Sequence, residues 1–311
     1  MRDKLIVTSS PHIRHIDTTR GIMGDVIIAL CPAAVFGCIL FGWRAFVILL
    51  TCIACCVLSE FLWCKILKKE NTVGDLSAIV TGLLLGMNLS PLLPVWMAAI
   101  GSVVAIIVVK QMFGGLGHNF ANPAISARIV LLVSFPAAMT RFSGRLTWTS
   151  TEIITSATPL ADGAAELSTQ ELFLGMHGGC IGETSAFLLI IGGIYLILRR
   201  VISPVIPLSF IGTVAVMSLI FGENLPLYIF GGGLMLGAIF MATDYTTSPT
   251  TPLGKLIFGI GCGLLTFVIR KWAALPEGVS YSILLMNILV PHINRLTLSK
   301  PFGAKEVKEN G

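Results

Sequence analysis

A Ser/Thr-rich stretch, Glu152 to Ala161 (EIITSATPLA), offers hydroxyl groups in an otherwise apolar chain. It contains no His, Cys or Lys, so it carries no obvious catalytic chemistry of its own. Thr158 precedes a proline, which biases its backbone toward extended conformations, and Ala157 leaves the neighbourhood uncrowded. The pattern suits two interpretations: an accessible hydroxyl that is enzymatically modified, or a plain Ser/Thr-rich linker.

Four carboxylates lie in or at the ends of apolar runs: Asp25, which is the most clearly embedded, Glu60, Asp75 and Asp244. Carboxylates inside a membrane are costly and often mark ion or proton routes. Pro32 frees a backbone carbonyl one turn upstream, and a carboxylate with a freed carbonyl offers the oxygen ligands that hard cations prefer. Asp25 and Asp244 are therefore candidate ion-pathway residues. The alternative is that Asp25 is a first-turn acid that stabilises the helix dipole, and that Asp244 is a capping residue.

Two segments rich in Gly, Asn, Thr and Pro interrupt the apolar runs. They are Gly114–Arg128 (GGLGHNFANPAISAR) and Phe240–Lys255 (FMATDYTTSPTTPLGK). At membrane depth such backbone survives only when it is buried in protein or lines a cavity. The sequence leaves two interpretations open: a polar-ligand site at the interface of two halves of the chain, or two ordinary cytoplasmic turns.

Other site chemistries are absent from the sequence. It has no zinc-spaced Cys/His set, nucleophile elbow or Walker A loop, so we expect no catalytic residue and no metal centre. Seven of the eight cysteines lie in apolar runs, where Cys acts as a small buried hydrophobe. Cys180 lies in a polar loop, and we expect an impermeant thiol reagent to reach this cysteine from outside.

The composition identifies a membrane protein. Hydrophobic residues make up 55% of the chain, charged residues 12%, and the mean hydropathy is +0.88, whereas soluble domains are about a quarter charged. The apolar residues form long runs of the length that transmembrane helices need. We therefore predict an all-α polytopic membrane protein without a cleavable signal peptide. The ten predicted spans are 22–41, 45–67, 75–90, 94–112, 122–139, 185–198, 204–221, 226–243, 254–270 and 280–294.

The positive charges predict an orientation. Lys and Arg cluster in alternate short loops, for example Lys65 after the second span and Arg199 after the sixth, with Lys110 and Arg128 counted on the same side. The positive-inside rule then places both termini in the cytoplasm. The predicted layout is a cytoplasmic segment 1–20, a first five-helix repeat 21–139, an external loop 140–184, a second five-helix repeat 185–295 and a cytoplasmic tail 296–311.

A weak internal repeat supports two halves of opposite orientation. Ser90–Pro94 (SPLLP) and Ser248–Pro252 (SPTTP) lie about half the chain apart, each in the third span of a five-span half. Because five is an odd number, two such halves would face opposite sides of the membrane, as inverted repeats do. The competing interpretation is that Ser-Pro commonly ends helices, and SPVIP at Ser203–Pro207 shows that the motif recurs.

The whole chain resembles a family of ion-pumping flavoprotein subunits. The resemblance rests on the ten-span layout and on the stretches GGLGHNFANPA, TSATPLA and FMATDYTTSPTTPLGK. The family includes the D-type component of the Rnf ion-translocating electron-transport complex and the B-type component of the sodium-pumping NADH:quinone reductase. The short polar segment before the first span favours the Rnf branch. The family fold, which resembles urea and ammonium transporters, implies two inverted five-helix repeats.

The resemblance implies a covalent flavin. In this family the last Thr of a [ST]-[GS]-A-T motif carries FMN through a phosphoester bond, and Thr155-Ser156-Ala157-Thr158 matches that motif. Thr158 is thus the expected FMN phosphoryl threonine, with Glu152 in the place where the family often has Asp. Asn119 and Asn122 are the candidate site for a second, non-covalent flavin, riboflavin or FMN, and the sequence leaves open whether such a flavin binds.

The resemblance also implies partners and a role. We expect a multi-pass subunit of the cell membrane that works with the other components of the Rnf complex (RnfA, RnfB, RnfC, RnfE and RnfG), above all with the flavin-carrying RnfG. The complex would couple ferredoxin and NAD redox chemistry to Na⁺ or H⁺ movement, with no NAD or nucleic acid bound by this chain. The alternatives are a urea/ammonium-type channel or carrier without redox activity, and a purely structural subunit.

Overall fold

The computed structural model is a helical bundle. It describes residues 18–69, 71–143, 155–156, 160, 168–183, 185–273 and 278–298. Nearly all regular structure in these residues is helical, as the sequence predicts, and the exception is a pair of two-residue strands.

The chain begins with two long apolar helices that form a hairpin. Helix α1 spans Thr19–Phe41 and α2 spans Trp43–Ile66. The Thr18 side chain accepts a hydrogen bond from the Gly21 amide and so caps α1. Gly42 joins the helices with a φ of 75°, a conformation that glycine adopts without strain.

The third element is only half a membrane crossing. After a 3₁₀ turn, Val73–Asp75, helix α3 spans Ser77–Met87, 11 residues, or about 16 Å against a hydrocarbon core of about 30 Å. The sequence predicts a span over 75–90, but the structure ends the helix early and continues without helix through SPLLP. Helix α4, Val95–Val103, follows and continues as a π-helical stretch, Val104–Gln111.

The fifth predicted span, 122–139, is interrupted. Helix α5 spans Pro123–Ser134 and α6 spans Pro136–Met139, with a break at Phe135 because Pro136 cannot donate an intrahelical hydrogen bond. Strand β1, Phe142–Ser143, then pairs antiparallel with β2, Thr155–Ser156.

The second half of the chain contains another interrupted helix. The elements are α7 (Thr169–Leu174), α8 (Ala186–Leu198), α9 (Val205–Ile220), α10 (Leu225–Phe230), α11 (Leu234–Leu236) with a π-helical stretch (Gly237–Met241), α12 (Pro252–Trp272) and α13 (Gly278–Thr297). The predicted eighth span, 226–243, is thus broken between α10 and α11, where Gly232 and Gly233 have φ angles of 65° and 69°.

The two halves, residues 19–139 and 186–297, share one apolar core. Helices α1 and α8 approach so closely that a Cβ on Gly192 would collide with the Ala29 carbonyl oxygen. The outside of the bundle is also apolar, with Ile39 62% exposed and Leu208 70% exposed. An apolar exterior around an apolar core is the arrangement of a protein in lipid.

Within the part of the chain that the structure describes, three helices, α1, α2 and α12, are long and apolar enough to cross a membrane. Shorter apolar helices occupy Ser77–Met87, Val95–Gln111, Pro123–Ser134, Ala186–Leu198 and Val205–Ile220. The chain therefore has the character of a multi-pass membrane protein, while a crossing by each of the ten predicted spans stays a prediction.

Candidate functional site

A cavity that opens to solvent lies between the two halves. Mostly apolar side chains form its walls, and a few polar groups from both halves converge on it. This combination is typical of small-molecule sites. The apolar lining includes Ile22, Met23, Val26, Val80 and Leu84 from the first half and Leu196, Ile202 and Phe240 from the second.

The two asparagines predicted near a flavin both line this cavity, in different roles. The Asn122 side chain caps α5 by accepting hydrogen bonds from the amides of Ala124 at 3.0 Å and Ile125 at 3.3 Å. Its Nδ2 atom donates to the Met241 carbonyl oxygen at 3.1 Å, so Asn122 also ties the two halves together. The buried Asn119 Oδ1 atom has no hydrogen-bond partner among the described residues, which leaves an acceptor for a bound molecule.

Asp244 lines the same cavity from the turn after the second π-helical stretch. Its Oδ2 atom accepts hydrogen bonds from the hydroxyls of Thr246 at 3.0 Å and Thr247 at 3.2 Å. Burial raises the pKa of this carboxyl above its ordinary value, and this effect outweighs the two threonine hydroxyls, which lower the pKa. The cavity therefore brings together three predicted site residues, Asn119, Asn122 and Asp244, from two distant parts of the sequence.

A buried ion pair borders the cavity. Sequence reasoning noted Glu60 inside an apolar run but did not identify its pairing with Lys110. The Lys110 ammonium donates to Glu60 Oε1 at 3.0 Å and Oε2 at 2.9 Å, and the side chains are 2% and 0% exposed. The Gln111 amide and the Thr72 hydroxyl also donate to Glu60. The orientation argument counted Lys110 as a loop charge, but α4 continues through it. Opposite charges inside two apolar runs were the signal available in the sequence.

Asp25 lies apart from the cavity lining. Its carboxylate accepts hydrogen bonds from the Tyr195 hydroxyl at 2.8 Å and from Arg199, whose Nη2 atom is 3.2 Å away. These contacts connect α1 to α8. Asp25 is thus a paired carboxylate at the junction of the halves, with 13% of its side chain exposed.

A second polar cluster lies deeper between the halves, around Arg128. Its guanidinium donates to Asn88 Oδ1 at 2.7 Å and Ser280 Oγ at 3.3 Å, and Glu183 Oε1 lies 3.8 Å away. Cys180 Sγ is 3.5 Å from Arg128 Nη2. Arg128 and Cys180 are 3% and 1% exposed. The sequence analysis was therefore wrong to count Arg128 as a cytoplasmic surface charge and to expect an impermeant reagent to reach Cys180.

Both errors have a structural cause. Arg128 lies in the second turn of α5, within the predicted fifth span, and its side chain contacts Asn88 and Glu183 inside the bundle and not the cytoplasmic surface. The segment Gly178–Glu183 returns into the bundle, where the Ile181 amide donates to the Leu89 carbonyl at 3.1 Å and the Gly182 amide to the Met87 carbonyl at 2.6 Å. These bonds satisfy carbonyls that the end of α3 leaves open.

Thr158, the expected flavin attachment site, and Glu152 lie outside the described residues. On one side of Thr158, Thr155–Ser156 form β2 and pair with Phe142–Ser143. On the other side, Leu160 lies against Gly231, where an added Cβ would be 3.5 Å from the Leu160 Cγ atom.

The cavity has the features of a site for a flat, largely apolar ring with a few polar edge groups. Its walls are apolar, Asn119 offers an acceptor for an N–H or hydroxyl group, and Lys110 is among the lining residues, with its ammonium held by Glu60 and Ser77. A flavin has this character, so the described residues fit the non-covalent flavin that the sequence predicts near Asn119 and Asn122.

Comparisons with known proteins extend over nearly the full chain. The model of the NQR2, RnfD, RnfE family matches residues 6–303. The chain is 47% identical over 312 residues to the D component of the Na(+)-translocating ferredoxin:NAD(+) oxidoreductase complex of Acetobacterium woodii, covering 98% of this chain and 97% of the relative. It is 42% identical to the D component of the proton-translocating ferredoxin:NAD(+) oxidoreductase complex of Clostridium ljungdahlii, covering 96% of each. It is 38% identical to the D component of the ion-translocating oxidoreductase complex of Stutzerimonas stutzeri, covering 91% of each.

Proposed function

This chain belongs to the NQR2, RnfD, RnfE family, and we propose that it is the RnfD component of an Rnf-type ion-translocating ferredoxin:NAD oxidoreductase. The observation that carries the proposal is 47% identity over 98% of the chain to a relative with the corresponding name. The alternative of a channel or carrier without redox activity is not favoured, because the relatives are named as subunits of oxidoreductase complexes.

The chain works as one part of a larger enzyme in this proposal. Its partners are RnfA, RnfB, RnfC, RnfE and RnfG, and the flavin on RnfG is the expected electron donor or acceptor for this chain. The complex resides in the cell membrane, with both termini of this chain in the cytoplasm and the loop between the halves outside, except for residues 178–183, which return into the bundle. The third span of each half is irregular, since α3 is only half-length and α10 is separated from α11. This correspondence supports a layout of two inverted five-helix repeats.

The proposed covalent cofactor is FMN on the Thr158 hydroxyl. Attachment through phosphate leaves the flavin ring unmodified, so the ring still carries one or two electrons at a time. The motif TSATPLA supports this assignment, and so does the short strand at Thr155–Ser156 that anchors the chain beside it.

The cavity between the halves is the proposed site of the second flavin. Asn119 would accept a hydrogen bond from it, and Asn122 would hold the two walls together through the Met241 carbonyl. The apolar walls would enclose the ring and limit its contact with water.

The proposed ion pathway includes Asp25 and Asp244, and the ion is Na⁺ or H⁺. The relatives do not decide between the two ions, because the one with 47% identity is named Na(+)-translocating and the one with 42% identity is named proton-translocating. Asp25 and Asp244 lie in different surroundings, one paired with Arg199 and the other at the cavity.

Covalent flavin on Thr158 is the property that separates this function from a channel. Wild-type, Thr158→Ala and Thr151→Ala chains are expressed with the cell's own flavin-attachment machinery, denatured and separated on a gel. We expect flavin fluorescence and an added FMN mass in the wild type and in Thr151→Ala, and neither in Thr158→Ala. A fluorescent Thr158→Ala band would exclude this threonine, and a wild-type chain with the unmodified mass would remove the covalent flavin from the proposal.

A further inference from the structure

We propose that Lys110 sets the reduction potential of the flavin in the cavity between the halves, and that Glu60 moderates its effect. The inference rests on the proposed non-covalent flavin and assigns a role to a buried ion pair that the proposed function does not use.

Lys110 is positioned to act on a molecule in the cavity. It is the one basic residue among the described residues that line the cavity, and its own helix fixes it there. It lies in the last turn of the π-helical stretch Val104–Gln111, and such irregular turns occur often at functional sites. With 2% of its side chain exposed, Lys110 is hardly screened by solvent.

The partners of Lys110 hold its ammonium in one place. All three N–H groups have acceptors: the two Glu60 oxygens at 2.9 and 3.0 Å and the Ser77 hydroxyl at 2.6 Å. Ser77 also lines the cavity and in turn donates to Asp75. The positive charge therefore cannot move away from this position without leaving the buried Glu60 carboxylate with only neutral donors, Gln111 and Thr72.

Reduction changes the charge in the cavity. A flavin that takes up two electrons and one proton ends with one additional negative charge. A nearby ammonium favours that reduced form, and a nearby carboxylate opposes it. The carboxylates around the cavity are Glu60 beside Lys110, Asp75 beyond Ser77, and Asp244 on the facing wall. Lys110 is thus the group in this set that raises the potential of the ring.

The test compares two variants that differ only in the lysine charge. Glu60→Gln removes the carboxylate and leaves the Lys110 ammonium with the glutamine amide oxygen and the Ser77 hydroxyl as acceptors. Lys110→Met with Glu60→Gln removes both charges, so neither variant leaves an unpaired buried carboxylate. Both are made in a full-length Thr158→Ala chain, which carries no covalent flavin. Riboflavin is the probe, and its two-electron potential in each purified protein is measured by dithionite titration with a reference dye. Lys69→Met, which changes an exposed lysine, is the control.

We expect Glu60→Gln to raise the potential and the double variant to lie below it. A tenfold loss of preference for the reduced ring corresponds to about 30 mV for a two-electron couple, and we expect at least that difference between the two variants. Lys69→Met should leave the potential unchanged.

Three results would overturn the inference. Equal potentials in Glu60→Gln and the double variant would mean that Lys110 only stabilises the fold, while the flavin proposal would stand. A higher potential in the double variant would reverse the sign of the effect. Absence of riboflavin binding in the Thr158→Ala parent, judged by co-purified and added riboflavin, would remove the cavity flavin and the inference with it.

Discussion

Arg128 Nη1 donates a hydrogen bond to Asn88 Oδ1 over 2.7 Å, and this bond joins α5 to the end of the half-length helix α3. Asn88 in turn donates to the Leu84 carbonyl at 3.0 Å. The same guanidinium lies 3.8 Å from Glu183, which comes from the segment between the two halves. The buried Arg128 side chain thus connects the half-length helix α3, its own helix α5 and the segment between the two halves.

Replacing Arg128 should strongly destabilise the protein. Arg128→Leu leaves Glu183 in a buried site without this partner, and breaking a buried pair from one side costs about 3–5 kcal/mol. We expect a clear loss of thermal stability in detergent, with part of it recovered in Arg128→Leu with Glu183→Leu. Arg44→Leu, at an exposed arginine over the Trp43 ring, is the matched control and should have little effect. If Arg128→Leu had the same melting temperature as the wild type, the buried contacts of Arg128 would not stabilise the bundle.

Replacing Asn119 should weaken flavin binding and leave the stability of the fold nearly unchanged. Asn119→Ala removes the acceptor that has no partner among the described residues, so we expect weaker riboflavin binding in the Thr158→Ala chain with nearly unchanged thermal stability. A lost hydrogen bond to a ligand is worth about 0.5–1.5 kcal/mol, or roughly 2- to 13-fold in affinity. Riboflavin titration by fluorescence quenching measures the change, and Asn71→Ala, at an exposed asparagine, is the control. Unaltered affinity would remove Asn119 from the site.

Asp25 allows a direct comparison of an ion pathway with a simple contact between the halves. Asp25→Asn keeps the shape and removes the charge, so we expect FMN reduction in the assembled complex to persist while ion-dependent turnover falls. Arg199→Gln removes the partner and keeps the carboxylate. Because 57% of the Arg199 side chain is exposed, the ion pair should stabilise the fold by less than about 1 kcal/mol.

The outcomes of these two substitutions distinguish the roles of Asp25. A loss of ion dependence in Asp25→Asn that Arg199→Gln does not share supports a pathway residue. Equal defects in both variants would indicate that the contact between α1 and α8 matters and the carboxylate itself does not. Normal turnover and ion dependence in Asp25→Asn would exclude Asp25 from the pathway.

The positions of most helices could be predicted because apolar runs report burial in protein or lipid directly. The end of α3 and the separation of α10 from α11 could not. These breaks depend on partners from elsewhere, such as the Gly182 amide for Met87 and the Arg270 guanidinium for the Gly232 carbonyl. Hydropathy contains no information about such distant hydrogen bonds.

Some residues of the candidate site could likewise be identified from the sequence, and others could not. Asn119, Asn122 and Asp244 could be identified because polar residues in Gly- and Pro-rich breaks stand out against an apolar background. The pairing of Lys110 with Glu60 was missed because the two residues are 50 positions apart. The positive-inside rule treats a lysine at the end of an apolar run as a surface charge, and it cannot register a buried partner on another helix.

Cys180 gives a simple chemical test of the returning segment. The thiol is 1% exposed and lies 3.5 Å from Arg128, so we expect no reaction with a maleimide in the native protein and full reaction after denaturation. Mass analysis of the peptide that contains Cys180 measures the labelling, with Cys180→Ser as the control. Rapid labelling of the native chain would show that Gly178–Glu183 does not remain inside the bundle.

The hydrogen bonds from Ile181 and Gly182 to the end of α3 have a consequence for biogenesis. When the ribosome has produced only the first half, the carbonyls of Met87 and Leu89 still lack these donors, which come from the segment Gly178–Glu183 much later in the chain. The first half therefore enters the bilayer as an incomplete unit, and its final packing must await synthesis of the connecting segment. A gene split after residue 139 would yield an N-terminal polypeptide that needs the C-terminal polypeptide to complete its own interior.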